Sequence, residues 1–552
     1  MGEWLHPAVP WLAGALLVGV VPSRARRALS LLVGVAGLVL AWTLPEGARA
    51  GTAIMGQPLV LLHVDALGRA FAIAFSLIGV LGMVYALDVA GRRFHIAAFT
   101  ACAAALGVVL AGDWITLYLS WEALAVSSFA LIADGGTLRA AHAAYRYLLV
   151  HLVGGALLLG GIVWHWTGGA GPLIASPLAA GPAALVLLAF AINAAIPPLH
   201  AWLTDAYPES SPAAGVLLSA LATKSAVYAL ARVFPGTEVL AWAGAAMALY
   251  GVVFAVMEND LRRLLGYHIV SQVGYMVAGV GLGTPLAVNG AVALAFCHIL
   301  YKGLLFMSTG AVLHATGRRG LSELGGLGRA MPATLVLYMV GALSISGAPP
   351  LNGFVSKSLI VAAAHAEHAR AVEWMLQLAG VGTFLSVGLK LPVLAFGGVE
   401  RGPTQAPVPP GMLAAMTLTA ALCLGIGLFP SALYALLPHP VAYAPYSAGH
   451  VLEVLEALAG TAVGFVLLRP LLTSAATVTL DMDRVYRAAG RWIVSGLAPA
   501  LAAAAGALER AAEALVTFSP PALGRVAMPV GYSVMAALAA LGLLLAARLA
   551  VY

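Results

Sequence analysis

Apolar stretches about 20 residues long, the length of helix that crosses a bilayer, succeed one another along almost the whole of this chain. Charged residues make up only 9% of it, against roughly 25% in an ordinary soluble domain. With 62% hydrophobic residues, most of the surface must face lipid. Spans are expected near 7–22, 28–44, 66–86, 93–111, 114–132, 144–166, 178–200, 211–232, 239–257, 264–282, 288–313, 331–366, 375–397, 411–430, 452–468 and 528–548. The fold class is therefore an all-α polytopic membrane protein with about 16 transmembrane helices. The N-terminal MGEWLHPAVPW carries an acid where a secretory leader carries bases, so the first run is expected to remain as a span. Cys102, Cys297 and Cys423 lie far apart in apolar runs, with neither metal spacing nor a disulfide framework. The net charge of +6 has no soluble basic face to act from, so nucleic acid is excluded as a partner.

Two spans are interrupted. The twelfth is too long for one helix and contains Gly347-Ala348-Pro349-Pro350-Leu351-Asn352-Gly353; the seventh carries Pro197 and Pro198 near its end. Proline removes a backbone donor and frees a carbonyl. Inside a membrane such a break survives only where protein or a wet cavity satisfies the freed groups. One break alone reads equally well as a packing kink; two suggest an ion path.

Arginine sets the orientation. Loops after odd-numbered spans hold eighteen arginines, and loops after even-numbered spans, with the C-terminal tail, hold four: Arg49, Arg232, Arg370 and Arg548. The positive-inside rule then places both termini outside. Residues 482–517 are alanine-rich and helix-prone, with Arg484, Arg487 and Arg491 on one face. They are expected to form a lateral cytoplasmic helix roughly 50 Å long, bracing a neighbouring subunit; a linker with helical pieces, broken at Pro499, is the alternative.

The four lysines, Lys224, Lys302, Lys357 and Lys390, all fall inside expected spans, whereas nearly all of the arginines lie at span ends or in loops. A buried lysine can release its proton near neutral pH and arginine cannot, so this partition suits a proton relay. Glu122, in LYLSWEALAVSS, is the one acid at the middle of a span. It needs a partner or a proton there, and Lys224 is the natural base. Lys302 follows His298 by one helical turn, on the same face. Lys357 follows the Pro349-Pro350 break directly, and Lys390 reads as a residue that snorkels towards the surface. Each alone suits a structural salt bridge or a snorkel; together, on five helices, they read as a relay. Sodium would want several oxygen ligands, usually with more than one carboxylate, so protons are the expected cargo.

These residues stand in a recognisable pattern. INAAIPPLHAWLTDAYPESSPAAGVLLSALATKSAVYALARVF (192–234), DLRRLLGYHIVSQVGYM (260–276), HILYKGLLFMSTGAVLH (298–314), SGAPPLNGFVSKSLI (346–360) and SWEALAVSSFALI (120–132) resemble the signature blocks of the antiporter-like subunits of respiratory complex I, Mrp-type cation/proton antiporters and membrane-bound hydrogenases. The resemblance covers roughly 60–430. It implies a fourteen-helix core with two inverted five-helix repeats, spans 4–8 and 9–13, each holding one broken helix and forming one half-channel. It divides the chain into 1–92, 93–232 (first repeat), 239–397 (second repeat), 398–470, the lateral segment 471–527 and a last span in 528–552. It makes Glu122 and Lys224 an acid–lysine pair, His298 and Lys302 the central relay and Lys357 the terminal group. Asn193 stands where the family usually has a lysine on the first broken helix; the half-channel then either relies on Lys224 or is silent. His200, His268, Lys390 and Asn193 remain relay or structural candidates.

The sequence contains no nucleotide fingerprint, iron–sulfur cysteines or haem ligands, so no cofactor, metal or catalytic residue is assigned, and redox chemistry would lie in partner subunits. The expected function is proton translocation within a multisubunit ion-transporting complex of a bacterial-type inner membrane, with sodium, if moved, carried by partners. The alternatives are a structural or proton-coupling subunit serving chemistry elsewhere, such as CO2 uptake, and a stand-alone transporter, for which recognition groups are missing.

Overall fold

The computed structural model describes residues 4–54, 57–174, 178–399, 401–402 and 406–468. The expected helix 482–517 and the span 528–548 lie outside the described residues. The chain begins with α1 (Ala8–Leu17) and α2 (Ser23–Thr43), then an antiparallel hairpin, β1 (Arg49–Ile54) and β2 (Gln57–His63), in a segment expected to be loop. Its strand β2 is pinned to the bundle where Val60 N–H donates to Asp113 Oδ2 (2.7 Å).

After the hairpin come α3 (Ala66–Ala86), α4 (Arg92–Leu110), α5 (Trp114–Ala133), α6 (Leu138–Thr167), α7 (Ala180–Asn193), α8 (Ala201–Ala206), α9 (Pro212–Ala220) and α10 (Ala222–Val233). These are followed by α11 (Glu238–Met257), α12 (Leu261–Leu282), α13 (Pro285–Thr316), α14 (Leu327–Ala330), α15 (Pro332–Ser346), α16 (Asn352–Ala366), α17 (Arg370–Thr383), a π-helical turn at Phe384–Lys390 and α18 (Leu391–Ala395). The short α20 (Pro430–Tyr434) links α19 (Pro410–Leu428) to α21 (Ala448–Leu468). Among the described residues eleven helices are long and apolar enough to cross a membrane. Their outward faces are large and apolar, as at Leu32, Leu149 and Val466, which suits lipid. The core pillar is α13, 32 residues and about 48 Å long at 1.5 Å per residue; α3, α9, α12, α15, α16 and α19 pack around it.

The two halves repeat one local grammar. Asp113 caps α5 by accepting from Ile115 and Thr116 N–H, and Asp260 caps α12 by accepting from Arg262 and Arg263 N–H. Each aspartate lies 24 residues before a threonine that caps the next helix, Thr137 on α6 and Thr284 on α13. Side-chain oxygens that accept N-terminal N–H groups start helices, so this spacing sets the lengths of equivalent elements. The breaks match too. Ala195 N–H bonds to Ile192 O and Ile196 N–H to Ala191 O; Gly347 N–H bonds to Ser344 O and Ala348 N–H to Leu343 O. Both follow the 6→1 closure of a helix C-terminus. The left-handed residue is Ala195 (φ +58°) in one and Gly347 (φ +78°) in the other, each two residues before a Pro-Pro pair joined by a cis peptide. Span 8 is further interrupted at Leu221, which the sequence did not announce.

Candidate functional site

Buried polar side chains run through the bundle from α5 to the π-helical turn, on elements that pack one against the next: α5 on α6, α6 on α7, α7 on α10, α10 on α12 and α13, and both of these on α16. Three of the four lysines are held in the same way. Lys224 Nζ donates to Ser219 O (2.7 Å) and Thr223 Oγ1 (3.1 Å). Lys357 Nζ donates to Ile345 O (2.5 Å), and Lys390 Nζ to Val256 O (2.6 Å) and Glu258 O (3.0 Å). Ser219, Ile345 and Val256 belong to the last turns of α9, α15 and α11. The last four carbonyls of a helix have no partner within it and form the negative end of its dipole, so each broken or ended helix makes a socket for an amine. Lys390 is thus a buried helix cap, 4% exposed, and not the snorkelling residue expected; the end of α11 holds it inside.

Lys302 has no such socket, because α13 is unbroken around it. It is fully buried and its Nζ has no hydrogen-bond partner among the described residues. The same holds for both ring nitrogens of His298. His298 lies within electrostatic range of Lys224, Lys302, Lys357 and His268. His268 Nε2 bonds to Ser386 Oγ (2.7 Å) in the π-helical turn, and Tyr301 O–H donates to Gln272 Oε1 (3.3 Å). The Lys357 ammonium also stands 4.8 Å from the ring centroid of Tyr275, a cation–π position. His200, buried at the start of α8, meets Tyr250 edge-on at 4.7 Å.

The expected Glu122–Lys224 ion pair is not formed. The break at Leu221 turns the Lys224 amine to the end of α9, while the Glu122 carboxyl occupies the space that a side chain at Gly155 would fill. Glu122 Oε1 has no hydrogen-bond partner among the described residues. Asn193 is 3% exposed, so it faces the interior. Its Oδ1 lies 3.7 Å from where a Cβ on Gly154 would stand, and it too lacks a hydrogen-bond partner among the described residues. Glu122 and Asn193 therefore meet the same turn of α6. Sequence reasoning missed His151 on that helix. The signal was present in the spacing, since His151 stands 14 residues after Thr137 as His298 stands 14 after Thr284.

A cavity of about 330 Å³ opens beside Lys357, lined by Tyr275, Ser346, Phe354 and, from α21, His450 and Glu453. His450 stacks on Phe354 at 4.9 Å, and its Nδ1 lies 3.9 Å from Glu453 Oε2. A second cavity, about 370 Å³, lies under the hairpin with Arg49, His63 and Arg232 in its wall. There Asp65, outside the spans, accepts from Arg232 Nη2 at 2.7 Å. Burial would raise its carboxyl, but the hydrogen bond and charge of Arg232 hold it below the ordinary range. No group of three or more His, Cys, Asp or Glu able to hold a metal gathers among the described residues.

Residues 111–386 match the family described as NADH:quinone oxidoreductase/Mrp antiporter, TM. The chain is 30% identical over 369 residues to an Na(+)/H(+) antiporter subunit of Alkalihalophilus pseudofirmus, covering 62% of this chain and 74% of that one. It is 30% identical over 471 residues to an NADH-quinone oxidoreductase subunit of Desulforudis audaxviator, covering 75% and 94%. In fold it is similar to a chain of the membrane-bound sulfane sulfur reductase, an archaeal respiratory membrane complex, with a TM-score of 0.73, 21% identity and coverage of 98% and 100%.

Proposed function

Since the chain belongs to the NADH:quinone oxidoreductase/Mrp antiporter transmembrane family, we propose that it is a proton-translocating antiporter-like subunit of a multisubunit ion-transporting complex in a bacterial-type cytoplasmic membrane. The carrying observation is the His298–Lys302 pair, fully buried, without hydrogen-bond partners among the described residues and within electrostatic range of both Lys224 and Lys357. Buried polar groups are rarely left unpaired without a role; water supplies their bonds in a proton wire. Residues 93–232 and 239–397 act as the two inverted half-channels, a reading supported by the repeated Asp and Thr caps and the matched breaks. Both termini lie outside.

Glu122→Ala and Lys224→Ala are each expected to abolish ion-linked activity in the assembled complex without blocking assembly. Because the two side chains form no pair, their effects on stability should add to within about 0.5 kcal/mol. Normal proton transport in both variants, at normal protein levels, removes the assignment. The structural alternative, a subunit whose first half-channel is silent, expects that same normal transport.

Lys357 is the terminal group, and the cavity towards His450 and Glu453 is its outlet. In the intact complex, Ser346→Cys should react with a water-soluble methanethiosulfonate cation, and Ala457→Trp, across the same cavity, should slow that reaction. Labelling only by a lipid-soluble maleimide would mean a groove filled by hydrocarbon, and the outlet would have to lie elsewhere.

A further inference from the structure

Asn193 leaves the first repeat without a lysine on its broken helix, and the fold supplies another base beside it. His151 is 1% exposed on α6. Its Nδ1 lies 2.9 Å from Tyr147 O. A carbonyl oxygen can only accept, so Nδ1 carries the hydrogen of the neutral ring and Nε2 is the bare acceptor. That nitrogen has no hydrogen-bond partner among the described residues.

Polar and titratable groups gather around His151. Gly154 and Gly155 follow it by three and four residues and share its face of α6. Against those glycines lie the Asn193 amide and the Glu122 carboxyl. Tyr147, stacked on His151 with ring centroids 3.8 Å apart, lies within electrostatic range of Glu122. The repeat grammar agrees. His151 occupies the offset of His298, and Gly155, four residues on, occupies the offset of Lys302. Where the second repeat has an amine, the first has a gap that the Glu122 carboxyl fills. A histidine kept for packing would be satisfied by Tyr147 and by Trp202, edge-on at 4.5 Å. Packing gives no reason to leave Nε2 bare.

We propose that His151 is the proton carrier of the first repeat, doing there the work of the absent lysine. Nε2 takes one proton from the Glu122 carboxylic acid through water, leaving carboxylate and imidazolium. The same nitrogen then gives that proton to water oriented by Asn193, from which it passes to Lys224. One proton enters and one leaves, and the Nδ1 hydrogen stays on Nδ1, donated to Tyr147 O, throughout.

The inference rests on the proposed function, and the test separates the two. The whole complex, in membrane vesicles under an imposed potential, is assayed for proton flux with a pH-sensitive dye. His151→Gln should lower flux on the order of a hundredfold with assembly intact. His151→Phe, which keeps the ring stack, should do the same and carries the test if the glutamine variant fails to assemble. Asn193→Lys introduced into His151→Gln should restore most of the flux, a rescue that a merely structural histidine cannot show. Parent flux in either single variant, or no recovery in the double variant, overturns the inference. Lys302→Met is run beside them. If it also keeps full flux, the proposed function falls; if it alone loses flux, only the role of His151 does.

Discussion

Lys302→Met is expected to abolish proton movement, by on the order of a hundredfold or more, while leaving the subunit at least as stable as before. The two observables separate because of what surrounds the amine. Lys302 is completely buried on an unbroken helix and bonds to no carbonyl or carboxylate among the described residues. Burying an amine without a partner costs free energy in either protonation state. Methionine has a similar shape and no such cost, and replacing buried ionic groups by well-packed apolar ones is often neutral or stabilising by about 1–4 kcal/mol. Lys224→Met and Lys357→Met should behave differently. Each removes a donor from a last-turn carbonyl, Ser219 O or Ile345 O, and leaving a buried acceptor unsatisfied costs about 1–3 kcal/mol. Thermal unfolding and dye-monitored flux on the same preparations check both halves. A Lys302→Met protein that unfolds early, or that conducts like the parent, contradicts this account of the central site.

Arg262→Ala is expected to have the largest effect on stability, a loss of about 3–5 kcal/mol. Arg262 is 1% exposed at the start of α12. Its guanidinium donates to Pro208 O (3.1 Å), Ser210 O, Ser210 Oγ (3.2 Å) and Ser211 O (3.3 Å). These belong to the turn between α8 and α9, so one side chain ties that turn to the start of α12. Arg319 reinforces the tie, bonding Glu209 and Asp260 at 2.7 Å each. Alanine would strand the carbonyls and leave a hole. Arg262→Lys should recover only part of the loss, because one ammonium cannot match the planar fork. The readout is the unfolding midpoint and the yield of intact complex on native gels. Parent stability in Arg262→Ala would show that the turn holds itself.

The fold class and, among the described residues, most of the expected spans were legible in the chain, because lipid imposes one rule on every helix it touches: about 20 apolar residues with the backbone satisfied internally. Pro197-Pro198 and Pro349-Pro350 announced both breaks for the same reason. Lysines confined to spans marked the polar line, since a charge in lipid stands out against any apolar background. The hairpin Arg49–His63 and the interruption at Leu221 were not announced, because each depends on bonds to distant residues or on packing against other helices. Partner choice was decided only by the tertiary structure. Glu122 and Lys224 are the obvious pair by composition, yet the end of α9 claims the lysine and Gly155 makes room for the carboxyl. Lys390 looked like a surface-seeking residue until the end of α11 arrived beside it. Sequence identifies which groups can titrate in lipid. Which freed carbonyl, glycine gap or neighbouring ring each one meets follows from how broken helices are stacked, and that is written in contacts between residues far apart in the chain.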